Sequence, residues 1–339
     1  MKPLARDNKG VVLILVLAVC ALFYILIFNF KTDQRMEQDL SYNFRDSLQS
    51  QYLGNAGVEA AMSVLAEDDN EYDADDEDWA KFSQFMMVAS GSLEDMIIEG
   101  NITDECSKLD VNSLVELDGD RYKKNAFRAA QLEKLMVNVL KIDILPQEAE
   151  DLINNICDWI DMDNERQESG GAEDDYYQSQ DEPYDCKDGP MDSPEEILLV
   201  KGMKKEWYYG TKEYQGIGKF ITAGTGSMGK GIINVNTASK EVLESLAPGI
   251  DESVAEQIID CRPFKKINEV LDCIKNYNTL VSDPVKDPPK LQAMLDIKST
   301  MFSVDIKGTI KSTGATLNAK AKLFMIDNGA PQIVYYKIY

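Results

Sequence analysis

From Val11 to Phe30 the chain is almost continuously apolar, with Asn29 as the main polar interruption. About twenty residues at roughly 1.5 Å rise match the roughly 30 Å hydrocarbon core of a bilayer, so a membrane-spanning helix is expected here. The ten residues before it, MKPLARDNKG, carry three basic side chains (Lys2, Arg6 and Lys9) against one acid. Basic residues remain on the cytoplasmic side, which places this leader inside and exports the rest of the chain. A secretory signal has a shorter apolar region and then a small-residue cleavage site. Here the run is too long, no A-x-A comes after it, and a glycine, Gly10, stands directly before it.

The chain as a whole is strongly acidic, although its leader is basic: 59 Asp and Glu against 35 Lys and Arg give a formal charge of -24. Such a surface repels nucleic acid and anionic lipid and favours divalent cations or basic partners. The chain has no histidine. That removes the commonest general base and the commonest zinc ligand together, and an enzyme is not expected. Six cysteines are present without a C-x-x-C pair, which argues against a zinc ribbon or a thioredoxin-type site. In an oxidising compartment Cys261 with Cys273 and Cys157 with Cys186 are candidate disulfides, leaving Cys106 over. Spacing alone does not settle that connectivity.

Beyond the apolar run, Met36, Leu40, Phe44, Leu48 and Tyr52 recur every four residues, with Val58, Met62 and Leu65 further on. One apolar stripe at that spacing predicts a long helix, embedded in lipid at first and then packed on a globular head. Gly54 and Gly57 weaken it locally. The acidic run from Glu67 to Asp78 reads as a solvated loop. Residues 92–114 read as a short strand, a turn and a helix start. The alternation in FSVDIKGTIKSTGATLNAKAKLFMID, around a turn at Ser312–Gly314, predicts a β-hairpin.

The expected fold is α+β: a long N-terminal helix on a small antiparallel sheet whose strands come from opposite ends of the chain. Everything between them must then be an insertion. The divisions are a leader over 1–10, a transmembrane segment over 11–30, a head over 31–112 and 295–339, and an inserted all-α domain over 113–294. Within the insertion, helices are expected over Asn125–Leu140, Pro146–Trp159 and Pro194–Gly202. A further pair is joined by Pro248-Gly249, the first capped by Thr237 or Ser239 and the second spanning Val254–Cys261.

Two acidic clusters flank a short glycine-containing turn: DWIDMDNE over 158–165 and GGAEDDYY over 170–177. Hard oxygen ligands at this density suit calcium, which takes six to eight oxygens. The run is not an EF-hand, because counting from Asp161 the sixth position is Arg166 and the twelfth is Ala172. Paired carboxylates could also serve glycoside hydrolysis, but these acids cluster like a metal cage, not as two separated groups. GTGSMGKG over 224–231 lacks the phosphate-loop spacing and reads as a turn.

Several of these motifs resemble known families. A polar leader, a glycine and an apolar helix, in that order, resemble type IV prepilins and pseudopilins. The resemblance implies cleavage by prepilin peptidase between Gly10 and Val11. Pseudopilins carry a filament-docking glutamate at the fifth mature position, and here that position is Leu15. The segment INVNTASKEVLESLAPGIDESVAEQIIDC resembles the helix-hairpin-helix (SAM-like) unit of competence-type DNA-binding proteins. Asp251 and Glu252, however, stand where a phosphate would be held, which opposes DNA binding.

The order of leader, Leu15, D-W-x-D-x-D loop, helix-hairpin-helix and terminal hairpin resembles the general secretion pathway protein K family. It implies a minor pseudopilin in the inner membrane with a periplasmic body, at the tip of the type II secretion pseudopilus. There it would start assembly with the I- and J-type minor subunits and the inner-membrane secretion machinery. Calcium is the implied ion. Asp161, Asp163, Glu173 and Asp175 are the implied ligands, with Glu165, Asp174 and Asp185 in reserve. A membrane-anchored DNA receptor of competence type is the alternative.

Overall fold

The computed structural model describes residues 9–68, 71–119, 121–167, 170–224, 230–274, 291–326 and 330–339. The greater part of the basic leader, with Lys2 and Arg6, and the centre of the 224–231 turn lie outside the described residues.

Helix α1 (Lys9–Ala66) is one uninterrupted element of 58 residues. Its side chains from Val11 to Phe30 are exposed, and the segment is long and apolar enough to cross a membrane. The apolar stripe does not pack on the head along its whole length: Met36, Leu40, Phe44 and Tyr52 are exposed too. The helix projects past the head, and burial begins with Asp46 and Ser50 and becomes a core face at Val58, Ala61 and Leu65.

The head is a four-stranded antiparallel sheet behind this end of α1. Its strands are β1 (Met96–Asp104), β2 (Met301–Ile310), β3 (Thr316–Phe324) and β4 (Gln332–Ile338), hydrogen-bonded in that order. The chain start therefore pairs with its end, Ile98 opposite Gly308 and Ile102 opposite Val304. Helix α2 (Phe82–Gly91) packs on β1. Ile98, Ile102, Phe302, Val304, Ile306 and Leu323 join Val58, Ala61, Leu65 and Phe82 in one core.

Three differences from the sequence reading stand out in the head. The C-terminus forms two strands beyond β2, since β4 comes after the expected hairpin. It is an edge strand whose side chains are almost all exposed, so with neither face buried there was no alternation to read. The strand in residues 92–114 is nine residues long, and it leads into two 3₁₀ turns, Glu105–Ser107 and Val111–Leu114, in place of a helix. The acidic run is not simply solvated either. Asp73 is buried: its amide donates to the Ile297 carbonyl at 2.7 Å and its Oδ2 accepts from Ser299 N at 2.6 Å.

A second and larger core is built from Leu109 to Leu295. It contains α3 (Ala126–Lys134), α4 (Pro146–Ile160), α5 (Asp174–Tyr177), α6 (Lys205–Tyr209), α7 (Lys240–Ser245), α8 (Glu252–Asp260) and α9 (Ile267–Cys273). Asn125 caps α3 by accepting from Arg128 N, and a π-turn over Leu135–Val139 continues from it. Pro146 opens α4, where a missing N–H costs nothing. Pro194–Leu199 is a 3₁₀ turn after the capping serine Ser193.

This inserted body is not purely helical. Leu109–Asp110 pairs with Ile221–Thr222, Val115–Asp118 with Arg121–Lys124, and Ile233–Asn234 with Leu295–Asp296. Ladders of two to four residues are too short to leave a period-2 signature.

In the α7–α8 pair, Ser239 caps α7 and Asp251 caps α8, accepting from Val242 N and Val254 N respectively. Thr237 is used elsewhere: its hydroxyl donates to Asp104. Lys134 Nζ reaches into the turn between the two helices and donates to the carbonyls of Ala247 at 2.8 Å and Ile250 at 2.7 Å. Cys261 and Cys273 form a disulfide joining the ends of α8 and α9.

The expected Cys157–Cys186 pair is not formed, and both thiols are buried and free. Cys157 Sγ faces the Leu114 carbonyl at 3.8 Å, whereas Cys186 Sγ faces the carbonyl of Asp158 at 3.7 Å. Each lies against a different backbone carbonyl, so packing, not proximity in sequence, decides the matter. Cys106 is a buried free thiol beside Thr300.

Candidate metal centre

The end of α4 supplies Asp158, Trp159 and the C-cap Asp161. Trp159 is buried and meets the Tyr177 ring edge-on, centroids 5.1 Å apart, with Tyr184 also in edge contact at 6.3 Å. These aromatics fasten α5 and the 184–188 segment beneath the helix end, so the two acidic clusters converge.

Asp158 closes the loop between them. Its Oδ1 accepts from Gln167 N at 3.0 Å and its Oδ2 from Ala172 N at 2.7 Å. Gly170 has φ +75, and a Cβ at Gly171 would lie 2.3 Å from Asp158 Oδ2, so two glycines make this tight return possible.

Inside the loop several carboxylate oxygens have no donor. Glu173 is only 4% exposed and neither of its carboxylate oxygens has a hydrogen-bond partner; Asp161 Oδ1 and Asp188 Oδ1 are also buried and unpartnered. One carboxylate oxygen each of Glu173 and Asp188 and the Cys186 sulfur lie within 4.8 Å of one another. Asp188 holds φ 47, in the left-handed region that Asp tolerates better than most residues.

The electrostatics come first from burial and then from this crowding. Burial pushes the Asp161 carboxyl up to about 8, helped by the charges of Asp163 and Asp158. Glu173 is likewise raised to about 8, by burial first and then by Asp158, Asp161 and Asp188. Asp158 rises to about 6, its burial offset in part by the two backbone donors. Unsatisfied buried carboxylates that raise one another's pKa are costly unless a cation or proton neutralises them. The donor set is mostly carboxylate oxygen, which fits a hard divalent cation.

Of the residues expected to be ligands, Glu173 lies in the close cluster, and Asp161 and Asp163 are near enough for their charges to act on it. Asp175 is exposed and forms an ion pair with Arg166, which holds its carboxyl below the usual range. Asp174 Oδ1 accepts from Cys186 N at 2.8 Å, Asp185 accepts from Gln178, and Glu165 is exposed with its amide on Asp163 Oδ1. Those four acids shape or border the loop and do not face its interior. Two residues absent from the expected set do contribute, Asp158 and Asp188. Asp158 opens the D-W-x-D-x-D motif. The signal for Asp188 was only its turn-forming Asp188-Gly189 dipeptide.

Two family models, both described as type II secretion system protein K, match residues 107–214 and 233–297, together just over half the chain. The type II secretion system protein K of Aeromonas hydrophila is 24% identical over 331 residues, covering 94% of this chain and 93% of that protein. That of Pseudomonas aeruginosa is 26% identical over 287 residues, 82% of this chain and 79% of the relative. Among solved structures, a chain of the GspK–GspI–GspJ complex of the enterotoxigenic Escherichia coli type 2 secretion system has the same fold. Its TM-score is 0.66 at 18% identity, covering 88% of this chain and 99% of that chain. With its long helix, antiparallel head and inserted helical body matched across nearly the whole length, this chain belongs to the type II secretion system protein K family.

Proposed function

We propose that this chain is a minor pseudopilin at the tip of the type II secretion pseudopilus, and that calcium orders its acidic loop. The observation that carries the first part is the pairing of a bare helix with an oversized head. Helix α1 leaves its apolar side chains exposed from Val11 to Phe44, as a subunit entering a helical bundle would. The head bears a second core from 109 to 295, which would clash if repeated along a shaft but fits at an end. Prepilin peptidase would cut between Gly10 and Val11, leaving a helix with Leu15 where a docking carboxylate is usual.

The likeness to a chain of the GspK–GspI–GspJ complex supports I- and J-type minor subunits as partners, with which this chain would start assembly. On this reading the body faces the periplasm and the helix is a single-pass inner-membrane anchor. In the α7–α8 turn the Asp251 carboxylate accepts from Val254 N, which sets a negative charge at the helix N-terminus where a DNA phosphate would have to sit.

For the ion, Asp161, Asp163, Glu173 and Asp188 would supply carboxylate oxygens, with Asp158 holding the loop in place. Calcium would neutralise charges that otherwise repel. These residues position and orient; no bond-making chemistry is asked of them.

Co-expression with the neighbouring pseudopilin-like proteins tests the assembly. The full chain should co-purify with I- and J-type subunits in a defined complex, and a strain lacking it should assemble few pseudopili. Normal pseudopilus number without the chain would overturn the initiating role. Isothermal titration of the detergent-solubilised chain tests the ion; no calcium binding at millimolar levels would end that part.

A further inference from the structure

The calcium reading uses only the oxygens of this cluster, yet a sulfur stands among them. Cys186 is buried, and its Sγ lies within 4.8 Å of both a Glu173 and an Asp188 carboxylate oxygen. Its contact with the Asp158 carbonyl, at 3.7 Å, is a weak one, and its thiol also hydrogen-bonds to Asp188, a contact that a metal ion would replace. Calcium takes oxygen ligands and has little use for a thiol, so calcium binding leaves this sulfur unexplained. Zinc and cadmium combine thiolate with carboxylate readily, at roughly 2.3 Å to sulfur and 2.0–2.2 Å to oxygen for zinc. Donors around such an ion sit roughly 3.5 Å apart, so the three atoms need only contract slightly. The independent sign of a ligand is Glu173, almost fully buried with both oxygens lacking a donor.

We propose that Glu173, Cys186 and Asp188 form a thiol-containing site for a thiophilic divalent cation of the zinc class, overlapping the calcium site and exclusive with it. The inference rests on the reading of this cluster as a metal centre. On binding, the S–H bond of Cys186 breaks, its proton passes to solvent and an Sγ–metal bond forms, with no change of oxidation state. Because Glu173 and Asp188 serve both ions, occupancy by one removes ligands from the other. The hard ion would add Asp161 and Asp163 to the shared pair, and the soft ion would add Cys186.

The full-length chain in detergent, stripped with a chelator, is titrated with cadmium chloride alone and with zinc chloride alone. Cadmium should raise the ultraviolet thiolate charge-transfer band, saturating at one ion per chain, and excess calcium should suppress it. Cys186→Ser should abolish the band, weaken zinc by more than about tenfold and leave calcium affinity unchanged. Cys157→Ser and Cys106→Ser should keep the band. X-ray absorption of the zinc-loaded native chain, which needs no variant, should show one sulfur at about 2.3 Å. A chain that binds calcium but gives no cadmium band, or only oxygen around zinc, overturns the thiol site and leaves the calcium reading standing. A band that survives in Cys186→Ser also overturns it. Failure to bind any of the three ions removes the metal centre altogether.

Discussion

At Gly171 a methyl group would come within 2.3 Å of Asp158 Oδ2, the oxygen that accepts from Ala172 N. Gly171→Ala should therefore push Asp158 off its backbone donors and weaken calcium by about 10- to 100-fold, the usual cost of losing support behind a ligand. Calorimetric titration would show it, and unchanged affinity would mean the turn is not what positions Glu173. The carboxyls of Asp161 and Glu173 are raised to about 8 in the folded chain, above the ordinary values of 3.8 and 4.5. Raised acids favour the protonated fold, so their contribution to stability is fully present below about pH 4. It is lost as pH climbs towards about 8. In chelator the melting temperature of the inserted body should accordingly fall between pH 5 and pH 8. Calcium should reverse that fall and release protons as it binds. A flat profile in chelator would show that these acids are neither desolvated nor crowded in the folded chain. Composition pointed to this loop but not to all of its members, because Asp175 turns out to Arg166 while Asp188 arrives from the segment beyond α5.

Where α1 crosses the sheet, the helix and strands approach through missing side chains. A Cβ at Gly57 would meet Ile306 Cγ2 at 2.8 Å, and one at Gly54 would meet Ala319 and Leu317 at 3.2 Å. From sequence these glycines looked like weak points in the helix, whereas they are the places where it fits the sheet. Gly57→Val should cost about 1–3 kcal/mol of head stability by overpacking, despite the lower intrinsic helix cost of replacing glycine. Denaturant melts of the full chain would register it, and a stabilised variant would refute the close-approach account. The junction between the two cores is polar. Asp104 is buried and accepts from Cys106 N at 2.8 Å, Ser299 Oγ at 2.6 Å, Asn234 Nδ2 at 3.1 Å and the Thr237 hydroxyl. Burial raises its carboxyl to about 6 against those four donors. Asp104→Ala would leave buried donors unpaired, and a loss on the order of 3 kcal/mol is expected, with early separation of the two bodies in hydrogen exchange. Nothing in the sequence joined Asp104 to Asn234 and Ser299, since their spacing reflects a meeting of distant segments.

For the whole molecule, the tip assignment rests on bulk and on Leu15 together, and these can be separated. Leu15→Glu should leave processing between Gly10 and Val11 intact and should not admit the subunit along the shaft, because the inserted body still obstructs stacking. Labelling of isolated pseudopili would check this, and incorporation along their length would show that Leu15, not bulk, confines the chain to an end. The sequence by itself determined the bilayer-length helix, the β2–β3 hairpin, the head formed from the two ends of the chain, and the existence of a large helical insertion. Each depends on periodicity or composition over many consecutive residues, a signal that local physical chemistry writes directly into the chain. Tertiary structure alone decided the fourth strand at the edge, the short ladders within the insertion, the burial of Asp73 and the freedom of Cys157 and Cys186. It also decided which acids of the loop turn inward. These depend on contacts between residues far apart in sequence, where a buried oxygen or sulfur is defined by what packs around it and by nothing in its immediate neighbours.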